Sequence, residues 1–378
     1  MLIYDKKKCT GCSLCKEICP KKCIEMYEDD EGFLFPKVER KEDCINCNVC
    51  NIFCPYRKKI CENKQKVFAL QLKNQDLLKK CASGGAFAAI ALSVMNLNGN
   101  VCGVSQINGK LSFIIINREE DIGLIAGSKY YQCVLTSEIY DKIEKLNSNN
   151  YFLFSGTPCQ VAAIEIKFRK KFKNKLVTVE IICQGAPNER VVKRSYIELE
   201  KKYNSKIIEH KFRSKDQYVG RNYLNKYVFE NGNIEYLKGS RDILTKSFQN
   251  QIFLRESCYK CNFTQKNRIA DFTIGDLWKY DMNKKIFDYE KGVSVVVLNS
   301  KLSNDFFKNI DKYAVVEEID DNCLKTNIPF NRSVKRPYSR NYSYKLLSTN
   351  LSFKTIVNIC CLKYNIKQQI KKIIKKGD

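Results

Sequence analysis

"CTGCSLCKEICP" occupies residues 9–20, and "CINCNVCNIFCP" occupies residues 44–55. The two runs share one spacing: Cys9, Cys12, Cys15 and Cys19 before Pro20, then Cys44, Cys47, Cys50 and Cys54 before Pro55. No other feature constrains the fold as tightly. Three thiolates on one tight turn cap one face of a metal–sulfur cubane. The fourth opens a short helix that crosses to the other copy's cluster. A pair of zinc sites is the competing reading. Zinc draws four ligands from two separated pairs and has no use for this run twice.

The doubled run matches that of bacterial two-cluster ferredoxins. The crossing helices assign Cys9, Cys12, Cys15 and Cys54 to one 4Fe-4S cluster. Cys44, Cys47, Cys50 and Cys19 take the other. Between the copies, "CIEMYEDDEGFLFPKV" alternates apolar and polar residues around Asp-Glu-Gly and reads as a hairpin. Residues 1–62 thus read as a two-cluster ferredoxin domain. Cys23 and Cys61 fall outside both runs and read as spare thiols.

Twenty cysteines in 378 residues point to metal binding or catalysis in a reducing compartment, not to disulfides. The single histidine, His210, excludes sites that need two, such as a Rieske cluster. Behind the first charges lies no apolar leader. The longest apolar stretch, near Phe87–Leu97, is shorter than the roughly 18–20 residues that span a bilayer. A soluble, cytoplasmic protein is expected. The net charge of +25 suggests nucleic acid at first sight, but no motif supports such a partner.

After a polar stretch at residues 62–75, strands alternate with helical segments, as in an α/β domain. The domain is read over residues 76–331. "SGGAFAAIALSVMNLNG" reads as a helix opened by Ser83-Gly84-Gly85 and stopped at Gly99. Its bare N–H groups suit a phosphate, and equally the glycines suit close packing. Asn108-Gly109 and Asn231-Gly232 mark hairpins. "YFLFSGTPCQVAAIEI" and "LVTVEIICQGAP" read as a right-handed βαβ unit. Cys159 then opens its helix, and Cys183 ends its second strand, at the edge where open α/β sheets build sites. Cys258 and Cys261, a bare CxxC, would complete a four-thiol cage. The helix N-terminus is expected to lower the Cys159 pKa. A zinc site, a redox disulfide and a Cys159 nucleophile remain open at this stage.

Several short stretches together resemble the coenzyme F-420 hydrogenase/dehydrogenase beta-subunit family, in the version with an N-terminal two-cluster ferredoxin. They are "SGGAFAAIA", "GSKYYQ", "SGTPCQVAAI", "CQGAPN", "ESCYKCNFTQKNRIADFTIGDLW" and "GVSVVVLNS". The resemblance covers roughly residues 1–330. It implies FAD and a third 4Fe-4S cluster in the large domain, the latter at Cys159, Cys183, Cys258 and Cys261. It implies a flavin role for Ser83, Gly84, Gly85, Ser128, Lys129 and Tyr130. "FRSKDQYVG" looks like the family's basic segment, which would turn Arg213 and Lys215 to an anionic ligand. Gln184 and Cys81 depart from the family's pattern. Relatives of this shape are also associated with envelope polysaccharide biosynthesis.

From Arg332 to Asp378 the chain carries twelve basic residues and one acidic residue. Residues 332–378 read as a basic tail. Ile366, Ile370, Ile373 and Ile374 lie on one helical face with lysines opposite, so the tail suits peripheral membrane contact or docking on its own domain. The expected fold is α+β, a ferredoxin-like two-cluster domain followed by a larger α/β flavin-binding domain with a mixed sheet. The expected function is oxidoreduction. Electrons pass from an acidic ferredoxin or flavodoxin-type donor through the clusters to FAD and then to an unidentified small-molecule acceptor. The alternative is an electron-transfer subunit that feeds a partner enzyme.

Overall fold

The computed structural model describes residues 4–362 apart from 59, 61, 63, 64, 108, 218–223 and 279–285. Cys61 and the isoleucine face of residues 363–378 lie outside the described residues, as does Asn108 of the first hairpin signal.

In the N-terminal region β1 (Ile24–Glu28) and β2 (Leu34–Val38) pair antiparallel, as the alternating pattern predicts. Each cysteine run turns tightly and then enters a one-turn helix, Leu14–Glu17 in the first copy and Val49–Ile52 in the second. Ser13 and Asn48 stand at φ 60° before these helices, so both copies repeat one backbone turn.

The rest of the chain contributes β3 (Lys66–Leu72), β4 (Asn100–Ile107), β5 (Lys110–Ile116), β6 (Phe152–Gly156), β7 (Leu176–Ile181), β8 (Ile207–Ser214), β9 (Leu224–Phe229), β10 (Ile234–Lys238), β11 (Phe272–Asp276), β12 (Ser294–Leu298) and β13 (Ala314–Glu318). Eight of them form one sheet in the order β13-β3-β12-β11-β7-β6-β4-β5. The β4-β6, β6-β7 and β7-β11 pairs are parallel and the others antiparallel, so the sheet is mixed, as expected. The βαβ reading holds: helix Pro158–Phe172 joins β6 to its parallel neighbour β7. Central strands read as unbroken apolar runs because both faces are covered. All five residues of β12 are buried. The second hairpin is β9-β10, within a three-stranded sheet β10-β9-β8.

Three boundaries differ from the sequence reading. The stretch at 62–75 is not a linker before a domain starting at 76: β3 lies inside the eight-stranded sheet between β12 and β13. Its polar look came from the residues that flank β3, and within the strand from Lys66 and Gln71. The Gln71 side chain is buried and satisfied, donating to Asp288 O at 2.6 Å and Gly292 O at 2.8 Å while accepting from Asp288 N. The helix opened by Ser83-Gly84-Gly85 is shorter than its pattern, Ala86–Met95. Residues 332–362 are not a tail. Helix Arg340–Leu347 and helical residues 353–362 bury Tyr344, Leu347, Phe353, Ile356 and Val357 against Phe33, Phe35, Tyr227 and Phe253. Charge density concealed this because the bases stand outside, except Arg340, whose side chain is 1% exposed and paired with Glu31.

Candidate metal centres and cofactor site

The first thiol set is Cys9, Cys12, Cys15 and Cys54. The four interact electrostatically with one another, as the crossed pattern requires. Burial raises the Cys9 thiol and pushes Cys12 up to about 12, because a dry site disfavours the thiolate. A buried set of this kind is stable as thiolates when a cationic core binds them.

The second set, Cys19, Cys44, Cys47 and Cys50, lines one cavity at the far end of the N-terminal region. Cys47 is exposed, whereas the other three are half-buried. Ile45, Ile52 and Phe53 are exposed large apolar residues of the same copy. Cys23 also lines this cavity, with its sulfur 3.6 Å from that of Cys19. The motif gave no signal for it, since it follows the run by four residues.

The third set is assembled by tertiary contact. Cys159 is the second residue of helix Pro158–Phe172, whose start is fixed by the Thr157–Gln160 capping box. Cys183 follows β7, and Cys258 lies in the short 3-10 turn Glu256–Lys260, with Cys261 just after it. Cys183 interacts with Cys258, Cys159 and Cys261, and Cys258 and Cys261 each interact with Cys159. Gly185 N donates to Cys183 Sγ at 3.3 Å, and Thr157 Oγ1 lies 3.3 Å from Cys159 Sγ. A Cβ on Gly185 would stand 2.9 Å from that of Cys258, so the loop closes this tightly on glycine alone. The expected depression of Cys159 fails. Burial raises its pKa and outweighs the lowering by Thr157, Arg255 and the helix amides. Among the described residues no three Cys, His, Asp or Glu side chains converge on a point for a single ion. Cys12 of the first set interacts with Cys159 of the third, so these two sets are neighbours.

The cations proposed for a flavin gather elsewhere on the large domain. Lys215 Nζ donates to Leu78 O, Ser83 O and Lys291 O. Lys129 Nζ donates to Ile125 O, Ala126 O and Gly127 O. Burial lowers both to about 8, yet leaves them charged at neutral pH. Arg213 pairs with Asp276 at 2.6 Å and interacts with Tyr130. Ser128 bridges to Phe212, which brings 128–130 to 212–215. Arg213 and Lys215 flank the Asp276 carboxylate, whereas Lys129 interacts with Cys81 and Cys133. The Ser83-Gly84-Gly85 turn is packed instead. A Cβ on Gly84 would lie 2.2 Å from Leu70 O and 2.4 Å from Ser294 N, and Ser83 Oγ donates to Val293 O. Close packing explains these glycines.

Residues 8–60 match the family model for a 4Fe-4S dicluster domain. Residues 150–322 match the model for the C terminus of the coenzyme F420 hydrogenase/dehydrogenase beta subunit. Behind a 4Fe-4S dicluster domain, the chain carries the C-terminal region of that beta-subunit family. A chain of the F420-reducing [NiFe] hydrogenase complex from Methanosarcina barkeri is similar at 16% identity and a TM-score of 0.47, covering 71% of this chain and 90% of that one. No curated protein matches. The beta-subunit match takes in Cys159, Cys183, Cys258 and Cys261, and the dicluster match takes in all eight cysteines of the doubled run. The dicluster match supports 4Fe-4S clusters on the doubled run. No helix among the described residues is long and apolar enough to cross a membrane.

Proposed function

We propose that the chain is a flavin-dependent iron–sulfur oxidoreductase that accepts electrons singly at its N-terminal region and delivers them in pairs. One observation carries this reading: Cys159, Cys183, Cys258 and Cys261 come together beside Cys12. Four half-buried thiols with an N–H donor on one of them suit the donor set of a third 4Fe-4S cluster. The thiol sets then run from exposed Cys47, through Cys12, to Cys159.

Exposed Cys47, rimmed by Ile45, Ile52 and Phe53, suits the docking of an acidic ferredoxin or flavodoxin-type donor. Lys129, Lys215 and Arg213 would attract the pyrophosphate of FAD by their charge, with Asp276 fixing the guanidinium. Bound there, a flavin supplies exchange of single electrons with iron–sulfur centres and of pairs with an organic acceptor. Tyr130 packs against Phe212 and Phe248 beside these cations. An acceptor in envelope polysaccharide biosynthesis rests on the resemblance alone.

A second reading, an electron-transfer subunit that feeds a partner enzyme, is favoured by Ile181, Trp278 and Ile286. These residues are 39%, 56% and 47% exposed. Ile181 ends β7 and Trp278 follows β11, its parallel neighbour, so both lie at the same edge of the sheet. Such a patch suits a partner protein.

Anaerobic protein should be assayed for iron, acid-labile sulfide, zinc and extractable flavin. Twelve irons with one FAD are expected. Eight irons with one zinc would replace the third cluster by a structural zinc on the same thiols.

A further inference from the structure

We propose that Arg255 is a buried cation shared by the first and third thiol sets, and that it raises the reduction potentials of both together. The inference rests on the reading of Cys159, Cys183, Cys258 and Cys261 as a cluster site.

The main chain of Arg255 is pinned in the third site. Its N–H donates to Ala186 O at 3.2 Å, and its carbonyl accepts from Cys258 N at 2.9 Å. From there the side chain crosses into the N-terminal region. Nε donates to Cys9 O at 2.8 Å and Nη2 to Leu34 O at 2.6 Å, with Nη2 also 3.9 Å from Cys9 Sγ. The guanidinium lies 4.3 Å from the Phe35 ring centre and 5.2 Å from that of Phe33. The residue is 2% exposed.

Its charge lacks the usual compensation. The side-chain acceptors found for it among the described residues are two carbonyls and a sulfur, with no carboxylate. Nη1 is buried and has no hydrogen-bond partner among the described residues. A Cβ on Gly11 would lie 2.8 Å from Nη1, so the glycine of the first cysteine turn makes room for it. A dry, unmatched guanidinium is costly unless anionic groups stand around it. The sulfurs nearest to it are cysteines of both sets: Nη2 is 3.9 Å from Cys9 Sγ, and Arg255 interacts electrostatically with Cys9, Cys159 and Cys258. The first two of these belong to different sets.

A one-electron reduction adds one negative charge to the group that such thiolates hold, with no proton. A fixed cation beside both sets favours that added charge in each. Because the cation is shared, passage between the first and third sets keeps its driving force. Passage from the second set to the first becomes more favourable. Arg255 thus draws electrons inward from the exposed end without trapping them midway.

The test is an EPR-monitored redox titration of the full, anaerobically purified chain, with iron counted on each sample. Arg255→Gln should retain twelve irons and move two of three midpoints negative. The size should be on the order of tenfold in each one-electron equilibrium, about 59 mV. The midpoint belonging to Cys19, Cys44, Cys47 and Cys50 should stay in place. Arg255→Lys, which keeps the charge without the fork, should hold both midpoints near their original values. It carries the test alone if the Gln variant fails to load iron. Midpoints that do not move, that all move alike, or a fully loaded Lys variant that shifts as far as tenfold would overturn the proposal. Eight irons in the unsubstituted protein would remove the third site and the shared role with it. Twelve irons with immobile midpoints would overturn the role of Arg255 and leave the site standing.

Discussion

Glu31→Gln tests what ties residues 332–362 to the N-terminal region. The Arg340 side chain is 1% exposed and that of Glu31 is 30% exposed. The guanidinium forks onto the carboxylate, with Nη1 donating to Oε1 at 2.7 Å and Nη2 to Oε2, and Nε donates to Leu254 O at 3.0 Å. Removing one partner of a buried pair costs about 3–5 kcal/mol, because the other charge is stranded. Two features reduce that here. Water reaches Glu31, and Glu256 Oε1 stands 3.9 Å from Arg340 Nε. A loss of about 2 kcal/mol is therefore expected. Arg340→Met should cost less, about 1 kcal/mol, since it removes the buried charge, leaves the Glu31 carboxylate in reach of water and keeps apolar volume beside Tyr344. The double variant should cost about as much as Arg340→Met alone, since neither position then carries a charge to strand. Urea midpoints from anaerobic unfolding followed by circular dichroism give the three values. If Arg340→Met is the worse single variant by about 1 kcal/mol or more, charge stranding is not what makes this contact costly to break.

Gly84→Ala forces a Cβ onto backbone atoms of β3 and β12, at 2.2 Å and 2.4 Å, so it should exceed the usual overpacking cost of about 1–3 kcal/mol. Gly232→Ala, in open space at φ +86°, should cost only about 1–2 kcal/mol, and thermal unfolding that ranks the two alike would refute the packing argument. His210 is buried between Phe212 and Tyr227, which holds its pKa down to about 3. The fold keeps the ring neutral while the unfolded chain takes up a proton below about 6.5. Stability is therefore lost as pH falls from about 6.5 towards 3, by up to about 1.4 kcal/mol per pH unit. As the chain has one histidine, NMR should show a single imidazole that does not titrate between about pH 8 and 5, and a midpoint near 6.5 would contradict this burial. Reduction by an acidic ferredoxin should slow with salt as the Debye length falls from about 10 Å at 0.1 M to about 3 Å at 1 M. Deleting residues 363–378 should weaken that dependence, and a rate indifferent to salt would remove electrostatic steering by the basic chain.

The two N-terminal thiol sets were legible because three ligands of each are local and the repeated spacing supplies the fourth. Cys9, Cys12 and Cys15 sit on one turn, and a motif of fixed spacing fixes its own geometry. The mixed sheet and the βαβ unit were legible for a similar reason: a buried strand, a capped helix and a second buried strand announce themselves in the order of residues. What the sequence could not decide was everything set by long-range packing. Polar residues on both sides hid β3, whose strand partners β12 and β13 lie more than two hundred residues away. Six bases disguised residues 332–362 as a tail because one arginine's partner, Glu31, lies at the other end of the chain. Ser83-Gly84-Gly85 suited a phosphate equally well until the strands beside it left no space. Arg255 carries no motif at all, since a cation shared by two thiol sets depends on a side chain crossing between regions that are remote in sequence. The thiols stand in the sequence, but their neighbours, their burial and the charge between them come from the tertiary fold.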